Sequence, residues 1–62
     1  MPIVTVEMFE GRSIDQKRDL VASLTSETAR IVRCREDDVQ IIIREVKRED
    51  WGIGGELACD RS

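Results

Sequence analysis

The sequence of 62 residues contains no histidine and no tyrosine, and it has one phenylalanine, one tryptophan and one proline. Without histidine, the chain has no imidazole base, no imidazole metal ligand and no histidine-based pH switch. The two cysteines, Cys34 and Cys59, form no CxxC pair. We therefore expect reduced thiols in a cytoplasmic protein, with neither a disulfide framework nor a metal site.

The sequence also has no apolar run close to the roughly 18 residues that a membrane span requires. The start, Met1-Pro2-Ile3-Val4, lacks the basic and apolar segments of a signal peptide. The net charge of −3 argues against binding to a nucleic acid backbone. We expect a single domain over residues 1–62 whose small core requires association with other subunits.

The order of the residue patterns predicts a β-α-β unit. Residues 2–9 are rich in β-branched types and predict a strand. Ser13-Ile14-Asp15-Gln16 matches a capping box, and apolar residues including Leu24 and Ile31 then recur at helical spacing. We expect a helix from about residue 14 to 33.

Residues 39–46 include three consecutive isoleucines, which is typical of a parallel strand covered on both faces. Trp51 and the following Gly52-Ile53-Gly54-Gly55 predict a short hairpin. The fold class is therefore α+β, with one helix and two parallel strands. One helix leaves a sheet face bare, so we expect the strands to be doubled across a dimer.

Pro2 is the first candidate for chemistry. If Met1 is removed, as we expect in the mature protein, Pro2 has a free secondary amine. An α-amino group titrates near 8, and burial or a nearby cation lowers that pKa, so the amine could act as a general base. The alternative is that proline simply begins a strand.

Arg12 and Trp51 are the next candidates. Arg12 precedes the helix cap, where a guanidinium could bind a carboxylate, although it could equally be an exposed loop residue. Trp51 could form the wall of a pocket or could anchor a core or interface. The carboxylates of Glu7, Glu10 and Glu45 have no diagnostic spacing, and we expect them at the surface.

Several segments together resemble the 4-oxalocrotonate tautomerase family. They are Pro2, Phe9-Glu10-Gly11-Arg12-Ser13, Asp15-Gln16-Lys17 and Trp51-Gly52-Ile53-Gly54-Gly55-Glu56-Leu57-Ala58. The similarity extends over essentially the whole chain, and the Glu-Gly-Arg-Ser and Gly-Ile-Gly-Gly-Glu-Leu-Ala segments are both specific.

The resemblance implies the tautomerase β-α-β fold, with short subunits assembled as a homo-hexamer, a trimer of dimers. It implies an isomerase without cofactor or metal, in the catabolism of aromatic hydrocarbons. The amino-terminal proline, matched by Pro2, would be the general base for enol-keto transfer on a small unsaturated 2-hydroxy acid such as 2-hydroxymuconate. Arg12 would bind the substrate carboxylate or carbonyl, and Trp51, in place of the family's phenylalanine, would form the apolar wall with Phe9 and Ile53.

Gln40 departs from the family pattern, which has a second arginine at that position. Glutamine can hydrogen-bond a carboxylate but cannot neutralise it. A monocarboxylate enol would therefore suit this site better than a dicarboxylate. Arg44, four residues further along the strand, is about 13 Å away and too far to replace the arginine simply.

Two alternatives keep the same fold. The chain could be a non-autonomous subunit of a hetero-hexamer whose partner chain supplies the second arginine. It could also be a hydratase or dehalogenase relative with a protonated proline. That chemistry usually needs a carboxylate that activates water, and the sequence does not identify one.

Overall fold

Two parallel strands and one long helix form the main unit of the computed structural model, which describes residues 1–61. In chain order the elements are β1 (Ile3–Phe9), α1 (Ile14–Val32) and β2 (Gln40–Val46). β1 and β2 pair in parallel, with Ile3 opposite Gln40 and Phe9 opposite Val46. The predicted β-α-β unit is confirmed, and its element boundaries lie within one residue of those predicted.

Both ends of α1 follow from local side-chain chemistry. The side chain of Ser13 accepts a hydrogen bond from the Gln16 backbone N–H at 3.1 Å, and the Gln16 side-chain oxygen accepts from the Ser13 N–H at 2.9 Å. The predicted capping box is therefore present. The helix ends where Arg33 adopts a left-handed conformation, with φ of 64°, and its N–H donates to the carbonyl of Ala29.

The two faces of the parallel pair differ in burial. The half-buried side chains Val4, Val6 and Met8 of β1 share a face with Ile41 and Ile43 of β2. On the opposite face, Ile3 and Ile42 remain 58% and 41% exposed. As expected for one helix on two strands, α1 covers one face of the sheet in residues 1–61 and leaves the other face open; that a second subunit covers the open face stays a prediction.

The residues after β2 form a small second sheet. Strands β3 (Gly52–Ile53) and β4 (Glu56–Leu57) pair antiparallel, which confirms the predicted hairpin. Gly54 and Gly55 both have positive φ, 59° and 92°, as a two-residue type I′ turn requires. The N–H of Ala58 donates to the carbonyl of Trp51 at 2.7 Å and fixes the base of the hairpin.

Three short 3-10 turns complete the chain. They span Glu36–Asp38, Arg48–Asp50 and Ala58–Asp60. The first contains the acidic run before β2, and the second leads directly into Trp51. Residues 1–61 contain no helix with both the length and the apolar character that crossing a membrane requires.

The core of a single chain is very small. Among residues 1–61, the buried hydrophobic side chains are Ala29 and Ala58, which are 8% and 6% exposed. Ile31, expected on the packed stripe of α1, is instead 66% exposed. The radius of gyration is 14.7 Å, whereas a compact chain of this length has about 11 Å. The subunit is thus extended and leaves much apolar surface uncovered.

Candidate active site

Pro2 and Gln40 lie together at the N-terminal end of the parallel pair. The backbone N–H of Gln40 donates a hydrogen bond to the carbonyl oxygen of Pro2 at 3.0 Å. Pro2 is half-buried, and Gln40 is exposed. Alternation along β2 puts Gln40 on the open sheet face, the face that also contains Ile42. The structure therefore brings these two candidate residues to one end of the sheet.

An aromatic cluster lies at the opposite end of the strands. The rings of Phe9 and Trp51 have centroids 4.6 Å apart and are tilted by 56°. The guanidinium carbon of Arg48 lies 4.2 Å from the centre of the Phe9 ring, a cation–π contact. Ile53, in β3 next to this cluster, is exposed. A groove of about 240 Å³ adjoins the indole and is lined by Glu7, Val46, Asp50, Trp51 and Gly52.

Arg12 lies in the loop between β1 and α1, also at the C-terminal end of β1. The N–H of Glu10 donates to the carbonyl of Val46 at 3.1 Å, and Gly11 then turns the chain with φ of 113°. The Arg12 side chain is exposed. A groove of about 270 Å³ beside it is lined by Met8, Arg12, Gln16, Lys17 and Leu20.

Lys17 and Glu45 form an ion pair between α1 and β2. Their side chains are only 32% and 23% exposed. The hydrogen bond from Lys17 lowers the pKa of Glu45 below its usual 4.5, against the opposing effect of burial. The Lys17 charge, the backbone N–H of Gly11 and the charge of Arg12 lower that pKa further.

Sequence reasoning did not foresee this pair: it placed Glu45 at the surface, where the residue as a whole is exposed, but named no partner for it. The signal was present in the alternation of β2. Glu45 has the same parity as Ile41 and Ile43, so it must lie on the face that the helix covers. A carboxylate on a covered face needs a cationic partner, and Lys17 is that partner.

The two groups of candidate residues do not meet within one chain. Pro2 and Gln40 lie at the start of the strands, whereas Phe9, Trp51 and Arg12 lie beyond their other end. A strand of seven residues is about 20 Å long, which exceeds the reach of a small acid. In residues 1–61, no three side chains of the types that bind metals are grouped around a common point.

The chain is thus a small β-α-β subunit with an N-terminal proline-glutamine pair at one end and an arginine and an aromatic cluster at the other. The family model described as tautomerase enzyme matches residues 2–61. A probable tautomerase of Listeria monocytogenes is 38% identical over 60 residues, covering 97% of this chain and 98% of that protein. The chain belongs to the tautomerase family.

Other comparisons identify the branch of that family. A 2-hydroxymuconate tautomerase of Bacillus subtilis is 33% identical over 60 residues, covering 97% of each chain. The crystal structure of a 4-oxalocrotonate tautomerase homologue superposes with a TM-score of 0.90 at 35% identity, covering 100% of this chain and 98% of that one. A heterohexamer 4-oxalocrotonate tautomerase from Chloroflexus aurantiacus gives a TM-score of 0.90 at 32% identity, with 97% coverage of both chains. The resemblance to 4-oxalocrotonate tautomerase is confirmed.

Proposed function

We propose that this protein is a cofactor-independent isomerase that converts a small unsaturated 2-hydroxy acid, such as 2-hydroxymuconate, into the conjugated 2-oxo acid. The observation that supports this most directly is the match of residues 2–61 to tautomerases in a chain whose β1 is preceded by a proline. The activity named for the Bacillus subtilis relative suggests the substrate class.

In the proposed reaction, the nitrogen of Pro2 is the general base. It takes the proton from the enol hydroxyl, and the electron pair of that O–H bond forms the carbonyl. The same proton is then delivered to the far carbon of the conjugated system, so the reaction consumes no other reactant. This requires the form of the chain that begins at Pro2, because behind Met1 the proline nitrogen is an amide and has no basic electron pair.

The other proposed roles follow from side-chain chemistry. Arg12 binds the substrate carboxylate by charge-assisted hydrogen bonds. Gln40, which lies beside Pro2, donates a neutral hydrogen bond to the carboxylate or carbonyl. Trp51, Phe9 and Ile53 form an apolar wall that excludes water, and a drier site lowers the pKa of an amine.

We also propose that the site is completed by several copies of the chain, in a hexamer built as a trimer of dimers. The separation of Pro2 from Arg12 and the open sheet face with Ile3 and Ile42 both support association. Sedimentation equilibrium should give a mass of six chains of 7.1 kDa each. A monomer that remains fully active at assay concentrations would contradict this arrangement.

The test of the catalytic role compares three forms of the protein. Ketonisation of 2-hydroxymuconate and of a monocarboxylate enol is followed for the chain beginning at Pro2, for Pro2→Ala, and for wild type with Met1 retained. Retention of Met1 turns the Pro2 nitrogen into an amide and should reduce kcat by about 100-fold or more. Pro2→Ala keeps a primary α-amino group at the same position, so its kcat should fall less. A Met1 form as fast as the chain beginning at Pro2 would show that Pro2 is not the base.

A second candidate is a subunit that works only with a different partner chain. Gln40 and the heterohexamer found among the structural neighbours favour it. The pure protein would then have no activity on 2-hydroxymuconate or on the monocarboxylate enol, although it would remain a folded oligomer. Mixed refolding with a Pro2→Ala/Gln40→Arg double variant, which supplies the arginine but no proline base, should restore turnover.

A further inference from the structure

The ion pair between Lys17 and Glu45 lies directly beside the loop that contains Arg12. Lys17 and Arg12 line the same groove, with Met8 at its sheet side. The Glu45 carboxylate contacts the Lys17 ammonium. Two positive charges and one negative charge therefore lie in the region between the start of α1 and the end of β2.

The backbone of Arg12 is fixed through its two neighbours. Before it, Gly11 turns the chain with φ of 113°. After it, Ser13 is the cap of α1 and is bonded to Gln16 in both directions. The Gly11 turn and the helix cap therefore set the direction in which the Arg12 side chain leaves the loop, and it lines the same groove as Lys17.

The guanidinium of Arg12 itself forms no ion pair in the part of the chain that the structure describes. Among residues 1–61, Lys17 is the cation in contact with the Glu45 carboxylate, and Arg12 lines the same groove as Lys17. Removal of the Lys17 charge would leave Arg12 as the cation of this groove available to Glu45. A guanidinium paired with an internal carboxylate cannot offer the same N–H groups to a substrate.

We propose that Lys17 is a positioning residue for Arg12: Lys17 occupies the Glu45 carboxylate, so that the guanidinium of Arg12, in the same groove, stays free for the substrate carboxylate. This rests on the proposed function of Arg12 in substrate binding. It predicts that Lys17 affects substrate binding indirectly, through the charge of Arg12 and not through its own.

The test uses Lys17→Met, Glu45→Gln and the double variant, in the form of the chain that begins at Pro2. Lys17→Met should raise KM about tenfold with little change in kcat, because Glu45 then competes for Arg12. Glu45→Gln, which leaves Lys17 unpaired but creates no competitor for Arg12, should raise KM by only about two- to threefold. The double variant should recover most of the loss caused by Lys17→Met, because no carboxylate remains to capture Arg12.

A merely structural ion pair can show the same recovery, because removing both partners leaves no unpaired charge. Positioning is therefore separated from a structural role by a KM that rises in Lys17→Met under conditions where urea unfolding shows the variant to be fully folded. Lys17→Arg should behave like wild type. The matched control is the exposed pair of Arg30 and Glu27 on the same helix, and Arg30→Met should leave KM unchanged. A double variant with a KM no better than that of Lys17→Met would overturn the proposal.

A second measurement does not depend on turnover, so it remains valid if the proposed function fails. Hydrogen exchange of the Arg12 Nε–H, followed by NMR, should slow in Lys17→Met as the guanidinium pairs with Glu45. It should return to the wild-type rate in the double variant. An exchange rate in Lys17→Met equal to that of wild type would refute the inference. A wild-type protein without activity that depends on Pro2 would refute the proposed function alone.

Discussion

The backbone N–H of Gln40 donates to the carbonyl oxygen of Pro2 at 3.0 Å, so the first residue of β2 is held beside the residue that precedes β1. The parallel register fixes this relationship, because Ile3 lies opposite Gln40. The backbone of residue 40 therefore lies beside Pro2, the proposed base, and its side chain lies on the open face of the sheet. Position 40 is well placed to select among substrates.

A change of Gln40 to arginine should favour dicarboxylate substrates. A charge-assisted hydrogen bond is worth about 1–2 kcal/mol more than a neutral one, so kcat/KM for 2-hydroxymuconate should rise about tenfold. The rate on a monocarboxylate enol should change little. Gln40→Leu is the matched control and should give no gain on either substrate. Equal gains on both substrates would argue against a role of position 40 in selectivity.

The contact between Phe9 and Trp51 should contribute to stability through ring geometry. Trp51→Phe keeps an aromatic ring against Phe9, whereas Trp51→Leu keeps only apolar area. The leucine variant should be less stable than the phenylalanine variant by about 0.5–1.5 kcal/mol. Urea unfolding followed by circular dichroism would measure this, at one fixed protein concentration because association shifts the midpoint. Equal midpoints would mean that the aromatic geometry adds nothing.

The lowered pKa of Glu45 predicts the direction of one pH effect. Because the hydrogen bond from Lys17 holds the pKa of the folded carboxyl below 4.5, its contribution to stability is present above pH 4.5. That contribution should be lost as the pH falls from 4.5 through the lower folded value. Urea midpoints measured between pH 7 and 3 should therefore decline more steeply for wild type than for Glu45→Gln. Parallel declines would contradict this assignment.

The capping box should make a measurable contribution to the free energy of unfolding. Ser13→Ala removes the acceptor for the Gln16 N–H and should cost about 1 kcal/mol of stability. Ser26→Ala, at an exposed position within α1, is the matched control and should be neutral or slightly stabilising. The difference is checked by thermal unfolding of both variants at equal concentration. A similar Tm for the two would show that the cap is not needed once the helix is packed.

The sequence was most informative where a local rule acts alone. The capping box at Ser13 identified the start of α1, and two adjacent glycines identified the hairpin turn. It was less informative where packing decides. Ile31 fits a helical stripe by spacing but is exposed in the single chain, and no local pattern indicated that Lys17 contacts β2.

The proposed site divides in the same way. Pro2, Arg12 and Trp51 were singled out as candidates by residue type and position, and Gln40 by the resemblance to the family. The distance between Pro2 and Arg12 follows from β1, which separates them along the chain. That Pro2 lies beside Gln40 depends on the parallel register, which is a long-range relationship. No local pattern states which ends of two distant segments will meet.

The order of the elements, the helix cap and the hairpin turn were predictable because they depend on residues close together along the chain, and the family was predictable from short segments spread over its whole length. The contacts of Lys17 with Glu45 and of Gln40 with Pro2 join residues far apart in sequence, and only the packed structure shows them. Charges and hydrogen-bonding groups pair according to their distance in space. That distance is set only when the helix packs on one face of the sheet.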